Sequence, residues 1–385
     1  MFFESILMEN NYKRLLYIDN LRIILVVLVV LAHVAITYGP VGFWYYYERT
    51  ELNSTYVLAF FVSLMQAFLI GLFFMISAFF TPSALNKKGP KNFFIDRIKR
   101  LGIPLLFYIF VIAPSILYLD NLIIKGERAN YFIFYYENVL KKGIIDVGPL
   151  WFLQVLLFFS ILYAIFNEVI IRLLKDKRQL ILKFPSNKNI FIAILILAFV
   201  TFLVRLQFPI SATTSHLNFG LAPQYIFLFG LGILAFNNNW FEAITVKKAK
   251  FWFSIAMVAI LFWPLFIFFG RSPGLSIEIF AGGLNWQSFI YASWEAVLSI
   301  SLSICFIYLF RKKFNHQTKL FKEISKSTYS VFIIHSIVIV LLSYLLKDMM
   351  FHPLVKFAIV ALVGLALCFL ISFYITRVRF LKKIL

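Results

Sequence analysis

A short set of ionisable residues lies where the sequence is otherwise apolar: Asp19, Arg22, His33, Glu168, Arg205, Glu295 and His335. An ionisable group inside hydrocarbon costs about 2.5–3.5 kcal/mol on insertion scales, so each needs a reason to be there. Asp19 and Arg22 are three residues apart and share one face of a helix. His33 follows Arg22 by eleven residues, close to three turns, and projects from nearly the same face about 16 Å further on. One stripe then carries an ion pair at its entrance and an imidazole near mid-membrane. Imidazole is the side chain suited to proton transfer near neutral pH. A lone histidine on an apolar helix is also a common packing residue, and the spacing alone leaves both readings open.

A second cluster is Phe94-Ile95-Asp96-Arg97-Ile98-Lys99-Arg100. Arg97 and Arg100, three apart, face the same way on a helical turn, and the guanidinium fork suits phosphate better than a lysine does. The plainer reading is a positive anchor at the membrane surface. Gln154, Arg205 and Glu295 lie toward the outer ends of their apolar runs, where they either line a polar cavity or bond helices together. His335 stands about one and a half turns into the run that begins at Tyr329. Glu168 lies near a cytoplasmic run end, where its carboxylate can reach the headgroups.

Other chemistries have no signature. Cys305 and Cys368 sit inside apolar runs with no metal or redox spacing, which reads as buried thiols, and neither a metal nor a resident cofactor is implied. The G-x-G-x-x-A match at residues 230–235 lies within an apolar run rather than at a strand-to-helix turn, so it is no dinucleotide site. Asn53-Ser54-Thr55 is a formal glycosylation triplet, too common to interpret. GxSxG, HExxH, CxxC and P-loop motifs are absent, and neither His33 nor His335 opens an HxxxxD motif.

The elements that must position these groups are set by composition. Of 385 residues, 62% are apolar and 14% charged, against roughly 45–50% and 25% in soluble chains. That excludes a water-soluble enzyme, a disordered chain and a disulfide-stapled domain. Crossing a bilayer takes about 20 apolar residues, and ten stretches qualify: 18–38, 56–80, 101–119, 149–171, 190–208, 221–236, 251–270, 288–310, 329–346 and 355–376. The first is too long, with no small-residue cleavage site after it, to read as a cleavable signal. The net charge of +20 points to the positive-inside bias rather than to nucleic acid. With the N-terminus inside, 27 of the 37 Lys and Arg fall on the cytoplasmic side and 7 outside. The expectation is an all-α integral membrane protein of about ten helices, both termini cytoplasmic, with residues 1–385 forming one polytopic domain. Its longest loop, 120–148, is external and carries Tyr131, Tyr135 and Tyr136, placed to rest on the interface or to cover a site.

Taken in order, the landmarks resemble a known family. Tyr17-Ile18-Asp19-Asn20-Leu21-Arg22 with the run to His33 resembles the opening of the acyltransferase 3 family of integral membrane acyltransferases. The resemblance continues through Phe74-Met75-Ile76-Ser77-Ala78-Phe79-Phe80, Arg97-x-x-Arg100 before Leu101-Gly102-Ile103-Pro104, Gly148-Pro149-Leu150-Trp151-Phe152-Leu153, and Tyr329 to His335. Within the family the branch it looks most like is that of glucan-succinylating membrane proteins. The resemblance implies transfer of an acetyl or succinyl group from cytoplasmic acyl-CoA, a co-substrate, to a hydroxyl of a cell-surface carbohydrate or lipid-linked acceptor, in a bacterial plasma membrane. It assigns His33 and Arg22 to catalysis and Arg97 and Arg100 to the donor, with Asp19, Gln154, Arg205, Glu295 and His335 as acceptor-side or supporting groups. Whether His33 is a base or carries the acyl group is left open. The chain departs from the family at Ser77-Ala78, where Ser-Gly is usual, so an extra methyl narrows either a helix contact or a substrate route. The competing class is a proton-coupled secondary transporter, which buried Arg, His and Glu would also serve; paired broken helices in two halves, the usual mark of one, are not evident.

Overall fold

The computed structural model describes residues 14–379 except 41–43, 49, 51–52, 129, 174–181, 211–217 and 271–276, together with residues 381 and 384. Lys13, Arg49, Lys175, Lys177, Arg178, Arg271, Lys382 and Lys383, which entered the charge count, lie outside the described residues. Ten helices are long and apolar enough to cross a bilayer, and no strand occurs among the described residues. They are α1 (Leu16–Tyr38), α2 (Tyr56–Phe79), α3 (Thr81–Ile123), α4 (Trp151–Leu173), α5 (Asn187–Gln207), α6 (Ala222–Asn237), α7 (Val246–Gly270), α8 (Trp286–Lys313), α9 (Lys319–Leu345) and α10 (Pro353–Ile375). Large apolar side chains such as Leu195, Leu261, Phe262 and Leu362 stay exposed along their outer faces, which are the faces a lipid environment would cover.

Local chemistry explains several starts. Ser186, Asn285 and Thr318 accept hydrogen bonds from the amides of Asn189, Ser288 and Phe321, capping α5, α8 and α9. His352 Nδ1 accepts from the Leu354 amide, and Pro353 opens α10. Two boundaries differ from the apolar runs. Thr318 starts α9 well before residue 329, so His335 lies sixteen residues into its helix, far deeper than one and a half turns. Residues 81–100 form helix rather than loop: α3 runs 43 residues, broken at Gly89, whose φ of +70° leaves the helical region, with Pro90 beginning the next turn. Wider π-type turns at 98–102 and 108–112 rotate its later side chains.

Helix α1 packs against α2, α8, α9 and α10, so its stripe faces protein on several sides. The α2–α6 contact is closest at Gly232, where a Cβ would run into the Met75 carbonyl and the Ala78 methyl. The G-x-G-x-x-A segment is thus a packing device, as small residues at membrane helix crossings generally are. Ala78, the departure from the family's Ser-Gly, faces this same contact and is fully buried; its methyl meets a helix. Residues 131–141 of the 120–148 segment fold into short helical turns that leave Phe132, Ile133 and Leu140 exposed, an apolar edge of the kind that lies on a bilayer surface.

Candidate active site

Asp19 begins the stripe on α1. Its carboxylate accepts from Arg14 at 2.5 Å, while Arg22 is 3.7 Å away, so Arg22 is not fully held by its acidic neighbour. The Arg22 guanidinium lies over the Phe80 ring, 5.0 Å from its centre. Val26 and Val29 follow on the same stripe, both buried, so the straight line from Arg22 to His33 is packed with side chains. His33 stands five residues from the end of α1 at Tyr38; the imidazole belongs to the half of the helix opposite Arg22, beyond its midpoint.

There it meets the second histidine. His335 Nε2 is 3.3 Å from His33 Nδ1, and the two ring centres are 4.9 Å apart. A carbonyl oxygen only accepts, so a neutral ring's nitrogen facing one carries the proton. His33 Nδ1 lies 2.9 Å from the Val29 carbonyl, and His335 Nδ1 lies 2.6 Å from the Phe332 carbonyl. Both neutral rings are therefore protonated on Nδ1. His335 Nε2 presents a lone pair to the shared His33 Nδ1–H, and His33 Nε2 keeps its own lone pair. That is the arrangement of an oriented base: one ring nitrogen fixed, the other available to take a proton.

A strap of residues 44–48 covers this pair. The Trp44 ring lies 4.2 Å from that of His33 and is stacked 6.3 Å from that of His335. Tyr45 shares a hydrogen bond with Tyr108 at 3.0 Å, and Tyr108 donates to Ser336, next to His335, at 3.0 Å. Tyr46 donates to Glu48, which is ion-paired with the buried Lys356 of α10 at 2.8 Å, and the Glu48 amide donates to the Thr37 carbonyl at the end of α1. Gly148, with a φ of +43°, lies against the Tyr45 and Tyr108 hydroxyls, where any Cβ would collide with both, and its amide donates to Asp146 at 2.7 Å. The Gly148-Pro149 landmark therefore has a steric reason. None of Trp44, Tyr45, Tyr108, Ser336, Glu48 or Lys356 stood out in the sequence as a site residue. Two signals pointed to them: the aromatic run Phe43-Trp44-Tyr45-Tyr46-Tyr47 directly after the histidine-bearing span, and a lysine in the first turn of span ten that needs an acidic partner.

At the other end, three guanidiniums gather. Arg97 is within Coulombic reach of both Arg22 and Arg100. Its side chain lies over the Phe93 ring at 4.8 Å, and its buried Nε has no hydrogen-bond partner among the described residues. Arg100 bonds Asp96 at 3.1 Å, and Asp96 is also paired with Lys88 at 2.7 Å. Tyr329, at the foot of the His335 segment, donates to the Arg100 carbonyl. Arg14, Arg22, Lys88, Arg97 and Arg100 outnumber the two carboxylates, Asp19 and Asp96, which suits a polyanion.

The remaining residues divide. Arg205 and Glu295 form an ion pair between α5 and α8, both almost wholly buried. Arg205 also donates to the Gly220 carbonyl at 3.1 Å and lies over Tyr291, while Gln66 and Tyr291 reach Glu295. The pair bonds α2, α5, α8 and the start of α6 together. Gln154 is exposed on α4, whose neighbours are α2 and α3, and it takes no part in that cluster. Glu168 is half-buried on α4. Among the described residues no group of three or more His, Cys, Asp or Glu is placed to hold a metal.

The landmarks that converge on the two ends of α1 are those of one family. The acyltransferase 3 family model, described as an acyltransferase domain, matches residues 15–374, nearly the whole chain. No curated protein and no solved structure gives a significant match. The histidine stripe, the arginines at its foot and ten apolar helices thus fall inside a single family match, and the chain belongs to the acyltransferase 3 family: it is a multi-pass membrane acyltransferase.

Proposed function

We propose that the protein takes an acetyl or succinyl group from cytoplasmic acyl-CoA and transfers it to a hydroxyl of a cell-surface carbohydrate or lipid-linked acceptor, in the manner of glucan-succinylating proteins and in a bacterial plasma membrane. Both termini are then cytoplasmic, Arg22, Arg97 and Arg100 face the cytoplasm, and the strap of residues 44–48 faces outward. The observation that carries this reading is His33 Nδ1 held 2.9 Å from the Val29 carbonyl and 3.3 Å from His335 Nε2, which leaves Nε2 of the neutral ring to act as the base.

The phosphates of the donor are held by the three guanidiniums, where charge-assisted bonds are strong. The pantetheine arm carries the thioester inward from the arginines toward His33, around the packed line of Val26 and Val29. His33 Nε2 takes the proton of the acceptor hydroxyl as its oxygen attacks the thioester carbon. The imidazolium so formed is stabilised through Nδ1–H by the lone pair of His335. It returns the proton to the departing thiolate, giving CoA thiol and the ester. General-base assistance of this kind is worth about 10²–10⁴-fold. Arg22 acts at the donor end, about 16 Å from the imidazole by helical rise, and its part in catalysis is to hold the donor.

The test is purified protein with labelled acyl-CoA and a carbohydrate acceptor. Transfer by the wild type and its loss in His33→Gln, with donor binding kept, is the expected result. Solute flux with no acyl transfer would return the transporter reading, and a fully active His33→Gln would make the imidazole a packing residue.

A further inference from the structure

The strap of residues 44–48 lies against His33 and contains an unused donor. Trp44 lies directly on His33, with ring centres 4.2 Å apart and planes inclined by 36°. Its neighbours in the strap fix it: Tyr45 on Tyr108, Tyr46 on Glu48, Glu48 on Lys356 and on the backbone of Thr37. Tryptophan side chains that are buried normally find an acceptor for the indole N–H. The Trp44 Nε1 is shielded from solvent and makes no hydrogen bond to any described residue. A rigidly held N–H, desolvated and beside a base, is the kind of group that stabilises negative charge developing on a reacting oxygen, because nothing has to reorganise when the charge appears. Among the described residues, both imidazole Nδ1 atoms are committed to carbonyls and Tyr108 to Ser336.

We propose that the Trp44 indole N–H donates to the carbonyl oxygen of the acyl group during transfer, making Trp44 a catalytic residue beside His33. The inference rests on the acyl-CoA reading above and adds the electrophilic half of the step. The acceptor oxygen bonds to the thioester carbon while its proton passes to His33 Nε2, and the C=O electron pair moves onto the oxygen, which accepts from Trp44. As the carbonyl re-forms, the C–S bond breaks, and the thiolate takes the proton from His33. The acyl group ends as an ester and the donor as CoA thiol, with no other reactant.

The experiment compares wild type, Trp44→Phe, a protein with benzothienylalanine at residue 44, and His33→Gln. Benzothienylalanine keeps the bicyclic shape and replaces only the N–H with sulfur, so it separates the donor from the packing. Donor affinity is measured with a thioether analogue that lacks the carbonyl oxygen, and kcat with acyl-CoA and acceptor. The expected result is that kcat falls about 100-fold in both Trp44 replacements while analogue affinity is unchanged. Wild-type kcat with benzothienylalanine at residue 44 overturns the proposal, as does a loss that appears in analogue affinity and leaves kcat alone. His33→Gln keeps the two ideas apart: if it is inactive while the Trp44 replacements are fully active, only the Trp44 proposal fails; if it is active, the base reading itself fails.

Discussion

His335 Nε2 lies 3.3 Å from His33 Nδ1, across 302 residues of sequence. The contact makes one histidine the second-nitrogen partner of the other, in the place where a carboxylate often orients a catalytic imidazole. A neutral imidazole partner orients as well but supplies no charge, so a base role proposed for His33 rests on geometry.

Replacing His335 should therefore lower the rate without weakening the donor. His335→Ala removes the acceptor from His33 Nδ1–H but leaves the Val29 carbonyl, so kcat is expected to fall about 10–100-fold, less than the full general-base factor. His335→Gln, whose amide oxygen can still accept, should recover part of the loss. Steady-state kinetics and acyl-CoA affinity on the same purified variants decide it; equal activity in all three proteins would make the contact incidental.

Donor binding should respond to Arg97 more than to Arg100, because Arg100 is already bonded to Asp96 whereas Arg97 has a buried nitrogen without a partner. A charge-assisted bond contributes about 1.5–3 kcal/mol, so Arg97→Ala is expected to raise the acyl-CoA Kd by ten-fold or more. Arg97→Lys should restore it only in part, since a point charge does not replace the fork. Equilibrium binding is the measurement, and an unchanged Kd in an Arg97/Arg100 double alanine protein returns the cluster to a surface anchor.

For Glu295→Gln the expected effect is on stability. Removing one charge of a buried pair leaves Arg205 uncompensated, at a cost of about 3–5 kcal/mol. The variant should lose thermal stability and yield, and Glu295→Gln with Arg205→Met should recover much of it. Unaltered melting combined with a specific defect in acceptor use would instead place the pair in the acceptor path.

The strap should loosen when its ion pair is cut. In Lys356→Met, Glu48 loses an interaction of about 1.5–3 kcal/mol, and the Glu48 amide, bonded to Thr37, should exchange its hydrogen at least ten-fold faster. Hydrogen exchange over residues 44–48 reads this directly. Unchanged protection would mean that Tyr45 and Trp44 hold the strap without Glu48.

Much of this molecule was settled by local properties of the chain. Ten apolar runs of about 20 residues read as helices, because a helix of that length satisfies its own backbone groups across the hydrocarbon, and the Arg22–His33 stripe followed from 3.6 residues per turn. Boundaries were less legible where a polar cap outweighed hydropathy, as at Thr318, which starts α9 early and carries His335 to the depth of His33. Lateral relationships were not legible. Whether Arg205 meets Glu295 or Gln154, and whether Ala78 narrows a route or a helix contact, depends on how each helix is rotated and which neighbour it packs on. Those rotations are fixed by contacts between distant segments, such as Gly232 against Met75 and Ala78. Periodicity within a helix places a side chain on a face, and only packing between helices decides what that face meets.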